Sequence, residues 1–428
     1  MEYTKAIAID SALAKAYYNR GRCRAAIKKY SDAVADYDRA INMDSIYGDA
    51  YCYRGTSKLS IKEYNAAIKD YNRAIQIDTT YINRGSPDGM ILFLQGTTEE
   101  REKQLGSDSM YAKSYCNRGV VKADMKDYQG AIADYNKAIS ICSNFSKFYQ
   151  NRARSERAIK KYEDAMSDYS KAMELDSSSR ADIYHYIGLI RADMKQYDIA
   201  IKEYDKSIKL NPQKAYVYCD RGIAKVNLQR EEGAMKDFKK ATKIDTLYAY
   251  PYCRMAAIEE SQKEYLGAIS YYDKAIKINP KYSYAYCCRG WVKSSLKSHT
   301  EAIKDYDKAI EYDSIYAYAY CDRGYSKAAL GDHKNAINDY DLAIGIDSSI
   351  AWFYCMRGVS LASTKAAARS VADYDKAIQL DSKYSYAYYG RGLAKIAIGE
   401  KDGGCIDLDK ASELGYVKAT DAILKYCR

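Results

Sequence analysis

Residues 112–145 read AKSYCNRGVVKADMKDYQGAIADYNKAISICSNF. Two phrases in this stretch recur along the chain. The first is Arg118-Gly119, found again at Arg20-Gly21, Arg54-Gly55, Arg221-Gly222, Arg289-Gly290, Arg323-Gly324, Arg357-Gly358 and Arg391-Gly392. Most intervals are 34 residues or multiples of 34, and Ala153, Gly188 and Ala256 fill the gaps at 34 or 35. The second is Ala-Ile-x-Asp-Tyr-x-Lys-Ala-Ile, running from Ala131 to Ile139 and again from Ala302 to Ile310. A fixed period of this length means that one supersecondary unit is copied and that no copy buries its apolar faces alone.

Each unit is numbered so that the Gly of Arg-Gly is position 8. Apolar residues then recur at positions 20, 21, 24, 27 and 28, which is helical spacing. The pattern predicts a helix A over about positions 2–14 and a helix B over about 18–30, with Asp-Ser pairs near 31–32 ending one unit and opening the next.

Composition fits a helical array. Only 4 Pro and 5 Phe occur among 428 residues, against 48 Tyr, the mark of one position multiplied by repetition. Lys and Arg number 67 against 57 Asp and Glu, a formal +10 that permits an acidic partner without demanding one. The signs alternate along the chain with no basic block, which reads as solvated helix faces and not as a nucleic-acid patch. No apolar run of about 18 residues is present, so membrane insertion is not expected. Met1 to Asp10 has no apolar core of a signal peptide. Most of the 12 Cys recur at one repeat position, which argues against a disulfide framework and for a reducing, cytoplasmic setting.

The period and its letters resemble the tetratricopeptide repeat family. That family carries an aromatic at 4, Gly or Ala at 8, an aromatic at 17, Ala at 20, an aromatic at 24 and Ala at 27. Unit 14–47 supplies Tyr17, Gly21, Tyr30, Ala33, Tyr37 and Ala40; unit 112–145 supplies Tyr115, Gly119, Tyr128, Ala131, Tyr135 and Ala138. Eleven units match over nearly the whole chain. The family's Pro at 32 survives only as Pro212 and Pro280, with Ser often in its place, as at Ser45 and Ser314. The resemblance implies an all-α fold: a right-handed superhelical solenoid of stacked antiparallel helix pairs. Packing agrees. Position 8 lies where the two helices of a unit cross closely, with the small Ala of position 20 facing it and the aromatics filling the remaining space.

The expected organisation is a truncated leading repeat over 1–13 with helix B only, two regular repeats over 14–81, an irregular repeat over 82–111, nine regular repeats over 112–414, and a capping helix over 415–428. The leading half-repeat suits a piece of a longer protein. Ser86-Pro87-Asp88-Gly89 is a breaker, and the 30 residues around it read as a decayed repeat that still bridges its neighbours.

Nine units carry Arg at position 7 and the same nine carry Asp at position 23. The pairs include Arg20 with Asp36, Arg54 with Asp70, Arg118 with Asp134, Arg289 with Asp305 and Arg323 with Asp339. The two units without the Arg, at Ile187 and Met255, also lack the Asp. Joint loss points to structural ion pairs, since a guanidinium fork matches a carboxylate.

No motif for chemistry emerges. His299 and His333 take the aromatic position 17 as packing substitutes, and His185 sits at position 5 of helix A, facing the groove. No metal spacing, phosphate loop or nucleophile elbow is present, so no catalytic residue, metal or cofactor is expected. Cys52, Cys116, Cys219, Cys253, Cys287, Cys321 and Cys355 share position 5 as half-buried fillers too far apart to bond.

The resemblance implies that helix A lines a concave groove through positions 2, 5, 6, 9, 12 and 13. Early units place Lys15, Asp49, Lys113 and Arg154 there. Later units place Tyr216, Tyr250, Tyr284, Tyr318, Trp352 and Tyr386 at position 2, and Trp291 and Tyr325 at position 9. Aromatic side chains dominate binding hot spots. The same position-2 rings can instead pack on Tyr248, Tyr282 and Tyr316 at the end of the preceding unit. The expected function is a non-enzymatic scaffold binding a protein or peptide in that groove. The alternatives are a partner-recruiting module of a larger protein or enzyme and, below it, RNA binding by a helical repeat, whose groove should be basic. The Tyr-rich edge leaves self-association into a homo-oligomer open. A terminal-carboxylate clamp, which the family builds on Lys at position 5 and Asn at 9, is disfavoured because no regular unit has that Lys.

Overall fold

A computed structural model describes residues 2–10, 13–84 and 98–428; the side chains of residue 9 and of residues 78–109 lie outside it. All 24 helices among the described residues are α-helices, joined by turns and one short 3₁₀ segment, with no strand. The chain divides into two compact units, Met1–Pro212 and Gln213–Arg428. Each is a stack of antiparallel helix pairs such as Ser283–Ser295 with His299–Tyr312. In repeat numbering these are positions 1–13 and 17–30, within a residue or so of the predicted bounds.

Packing at position 8 adds a second neighbour to the expected residue of position 20. The backbone oxygen of that residue would lie 3.1 Å from a Cβ on Gly324, at Ala336, and 2.9 Å from one on Gly392, at Gly404. A Cβ on Gly21 would meet the Tyr37 ring at 2.7 Å, and one on Gly290 the Tyr306 ring at 2.8 Å. The aromatic of position 24 therefore lies over position 8 as well, and the Ala of position 20 is a fully buried neighbour, as Ala302 shows. Tyr37, Tyr71, Tyr135, Tyr169, Tyr306 and Tyr340 are each at most 1 % exposed and form the spine of the core.

The turn between helices A and B has a fixed form. Position 15 takes a left-handed backbone in every regular unit, with Lys28 at φ 61°, Lys126 at 66° and Lys297 at 61°; Gly331 and Gly399 occupy it at 88° and 89°. A non-glycine residue is disfavoured there by about 1 kcal/mol. The turn between units is set by Asp at position 31, whose carboxylate accepts the backbone N–H two residues on, as Asp44 does from Ile46 at 3.1 Å and Asp313 from Ile315 at 3.2 Å.

The bridging repeat expected over 82–111 is not what joins its neighbours. Arg118 Nη1 donates to Asn72 Oδ1 at 2.6 Å, just as Arg54 Nη1 donates to Asp38 at 2.6 Å one unit earlier. Val121 shares a core cluster with Cys52, Ala67, Tyr71 and Ala74. Units 48–81 and 112–145 are thus direct neighbours. Helix Tyr64–Arg84 and helix Thr98–Asp124 run past the ordinary unit ends on either side of the extra residues. The breaker Ser86-Pro87-Asp88-Gly89 falls outside the described residues.

At the start, helix Glu2–Ile9 sets Ile7 against Tyr17, Tyr18 and Tyr37. At the end, helix Lys418–Tyr426 buries Ala419 and Ala422 and follows Gly415, whose φ of 85° breaks the preceding helix. Cys405 and Cys427 are disulfide-bonded across these last two helices, with Cα atoms 5.7 Å apart. The repeated cysteine position gave no warning of this pair, because neither partner belongs to it. The other ten stay as thiols.

Candidate functional site

The charged residues of helix A organise first. Arg at position 7 donates Nε and Nη2 to the Asp at position 23 of its own unit: Arg20 to Asp36 at 2.9 and 2.6 Å, Arg54 to Asp70 at 2.9 and 2.6 Å, Arg289 to Asp305 at 2.9 and 2.5 Å. Arg118 with Asp134 and Arg323 with Asp339 repeat the fork. Two further partners escaped the sequence reading. Nη1 reaches position 25 of the preceding unit, as in Arg323 to Asp307 at 2.7 Å. A Lys at position 11 approaches the second oxygen of the same Asp, as in Lys293 with Asp305 at 2.7 Å and Lys327 with Asp339 at 2.8 Å. The guanidinium also lies over the Tyr at position 4, Arg289 at 5.4 Å from the Tyr286 ring. Each Asp is buried with its lone pairs satisfied, so the network fixes how units register. The recurrence of Lys at 11 and Asp or Asn at 25 was the signal that could have found it.

This network consumes nearly all the basic groups on the helix A of units 283–316, 317–350 and 351–384. What remains on the other side of those helices is aromatic. Trp291 lies 6.1 Å from Tyr325 and 6.3 Å, edge-on, from Trp352; Tyr318 meets Phe353 at 5.3 Å, and Phe353 meets Trp352 at 6.1 Å. Trp291, Tyr318 and Tyr325 stay 36–45 % exposed. Four of the eight sequence-selected rings are thus brought together. The other four are spread along the array. Tyr250 and Tyr284 lean on Tyr248 and Tyr282 at 6.5 and 6.0 Å, and Tyr386 packs on Tyr416 at 5.5 Å. Tyr216 is exposed on the first helix A of the second unit. Tyr318 does both jobs weighed for position 2, packing on Tyr316 at 6.5 Å while remaining exposed.

Position 5 does not face outward. Cys52, Cys116, Cys219, Cys253, Cys287, Cys321 and Cys355 are all buried, not half-buried, and His185 is buried against Tyr186 and Tyr204 at 5.5 and 5.9 Å. A small side chain is wanted because helix A of the next unit presses on it. Asn151 of the next unit donates to Cys116 Sγ at 3.4 Å, and Cys287 donates to Asp322 Oδ2 at 3.5 Å. Burial pushes the Cys116 thiol up to about 11 and that of Cys355 up to about 12, so neither is a thiolate nucleophile at neutral pH.

In the first unit the helix-A face is polar. A cleft of about 480 Å³ is lined by Asn151, Arg154, Arg157, Tyr135, Tyr169 and Tyr186. Arg157 is held by Asp193 at 2.6 Å, while Arg154 lies 6.0 Å over the Tyr186 ring. His299 and His333 pack where aromatics stand in other units, His299 with Nδ1 3.2 Å from Ser294 Oγ. Among the described residues no cluster of three or more His, Cys, Asp or Glu could hold a metal, and no helix is long and apolar enough to cross a membrane.

Profiles described as "Tetratricopeptide repeat" match residues 11–82, 112–145, 146–179, 215–246, 249–282, 271–304 and 317–350, and one described as "TPR repeat" matches 188–229. No curated protein matches the chain. Among solved structures, yeast Tom70 is 16 % identical with a TM-score of 0.51, covering 94 % of this chain and 91 % of its own. The structure of the APC/C hetero-tetramer Cut9-Hcn1 matches at 13 % identity and a TM-score of 0.51, covering 95 % of each chain. A tetratricopeptide repeat protein from Parabacteroides merdae is 19 % identical with a TM-score of 0.46, covering 58 % of this chain and 98 % of its own.

Proposed function

This chain belongs to the tetratricopeptide repeat family, and on that premise we propose that it is a non-enzymatic scaffold whose helix-A face at residues 283–386 binds an extended or helical segment of another protein. The observation that supports this reading is the cluster of exposed Trp291, Tyr318 and Tyr325 with half-buried Trp352. Rings of this size would bury into a soluble core if they served only folding. Held at a surface by a rigid helical array, they supply large contact area at low entropic cost. The ten cysteines that remain thiols favour the cytoplasmic setting proposed with it, and the Cys405–Cys427 disulfide counts against it.

The test is capture from native lysate with wild type and with Tyr284→Ala/Tyr318→Ala/Trp352→Ala, each with and without nuclease treatment. A protein retained by the wild type and lost by the variant, at unchanged helicity, supports the aromatic face. Equal retention moves the contact to the polar first unit or to the outer helices. Capture that disappears with nuclease favours the RNA reading instead.

A further inference from the structure

The aromatic face has a floor, and its charge is one-sided. Glu260 closes helix Tyr250–Ser261; its carboxylate accepts from the Tyr272 hydroxyl at 3.4 Å and lies against the Trp291 indole. Two units on, Asp322 projects from helix Ala317–Ala329, 7 % exposed, one turn before Tyr325. Its contact at hydrogen-bond distance is the weak donor Cys287. Burial raises the Cys288 thiol, and the charges of both Glu260 and Asp322 push it the same way. Beneath them the buried Tyr306 hydroxyl lies near Asp322 and Ser326.

Among the described residues neither carboxylate is paired with a cation. Arg289, Lys293, Arg323, Lys327 and Arg357 are all turned to the opposite side, held by Asp305, Asp339, Asp373 and the Asp residues of the preceding units. Arg254 is the one basic group left on helix A of unit 249–282, and it sits upstream between Tyr250 and Tyr284. The consequence is visible in protonation. Burial pushes Asp322 up to about 7 and raises Glu260, and no guanidinium or ammonium offsets either. Asp305 and Asp339, the buried carboxylates on the opposite side, are each met by an Arg and a Lys.

We infer, resting on the scaffold reading above, that the bound segment presents a lysine or arginine side chain to this face, its charged head over Glu260 and Asp322 and its stem between Trp291, Tyr325 and Trp352. The rings attract a cation through their faces, and two carboxylates in a partly dry floor give it a counter-charge. The chain's formal +10 repels basic peptides at long range, so a preference for them has to come from a local site.

The chain has only two tryptophans, and both are in this cluster, so tryptophan emission, excited selectively at the red edge where tyrosine does not absorb, reports on it alone. The probes are acetyl-Ala-Leu-Lys-Leu-Ala-amide and the same peptide with norleucine or glutamate in place of lysine, titrated at physiological salt. The lysine peptide is expected to bind at least tenfold more tightly than the norleucine peptide. In Asp322→Asn/Glu260→Gln that ratio should fall to within about twofold while the norleucine affinity stays, which separates a lost charge contact from a damaged fold. Norleucine binding as tightly as lysine overturns the inference and leaves the scaffold reading standing, as does a lysine preference that survives both substitutions. Emission unchanged by every peptide at millimolar concentration also overturns it, and the lysate capture then decides the scaffold reading independently.

Discussion

Glu156 is the one place where the ion network is built with the wrong sign. Position 11 is Lys or Arg in most units and approaches the buried Asp of position 23, as Lys122 does with Asp134 at 2.9 Å. Unit 146–179 has Glu156 there, 7 % exposed, beside Asp168 and 3.8 Å from Arg152, which is already committed to Asp168. One carboxylate oxygen of Glu156 is buried without a partner. Burial, and then the Asp168 charge, push its carboxyl from 4.5 up to about 7. The folded state therefore holds this proton more tightly than the unfolded chain does. Between pH 4.5 and 7 the unfolded state binds fewer protons, so stability falls as pH rises through that window. At pH 7 the full penalty would be about 3 kcal/mol. Water reaching part of the side chain reduces it to about 1–2 kcal/mol.

Glu156→Gln should therefore stabilise the protein by about 1–2 kcal/mol at pH 7. Glu156→Lys should add about 0.5–1 kcal/mol by restoring the contact to Asp168. At pH 4, where Glu156 is protonated in both states, the Gln variant should match the wild type. Because repeat arrays open locally, the gain belongs in hydrogen exchange of helices Ser146–Ala158 and Tyr162–Leu175, with thermal unfolding as a second readout. A Gln variant no more protected than wild type at pH 7, or equally stabilised at pH 4 and pH 7, refutes the reasoning.

Deleting residues 82–111 should leave a folded array, since Tyr81 and Ala112 then meet at the regular period, and loss of cooperative unfolding in the deletion would show the segment to be part of the stack. Lys297→Gly should raise stability by up to about 1 kcal/mol, because the backbone φ of 61° suits glycine; chemical denaturation that places the variant below wild type would contradict the turn geometry. Cys405→Ser should loosen the last helix by up to about 3 kcal/mol, read as faster exchange over Lys418–Tyr426 with the rest of the array unchanged, and a reductant should do the same to the wild type alone.

The helix boundaries and the Arg–Asp pairs were legible because repetition turns one chain into its own alignment. A residue copied at fixed spacing exposes its partner when both vanish together, as at Ile187 and Glu203. What stayed hidden were features that need geometry across units. The Gly at position 8 announced a close approach, but only the fold shows that the Tyr37 or Tyr306 ring lies over it. The left-handed turn was written in Gly331 and Gly399, yet Lys in eight other units masked it, because a surface Lys reads as solubility and not as backbone conformation. The cysteine position was misplaced toward solvent because helical spacing gives angle and not depth, and depth is set by the helix A of the following unit.

The same distinction governs the site. Periodicity selects the rings of position 2 and position 9 but treats every copy alike. Contacts between units make them unequal: Trp291, Tyr325 and Trp352 converge, while Tyr250 and Tyr386 are spent on neighbouring rings. The carboxylates beneath are hard to single out by repetition, because Glu260 stands alone at position 12 and Asp322 shares position 6 only with Asp220. They stand out only once the basic residues have been accounted for. Nine arginines and their lysines are drawn to one side by carboxylates that recur with them, while Glu260 and Asp322 stand outside that network and face the rings. In a repeat protein the copied residues hold the array together, and the residues that break the copy are where a particular partner can be told from others.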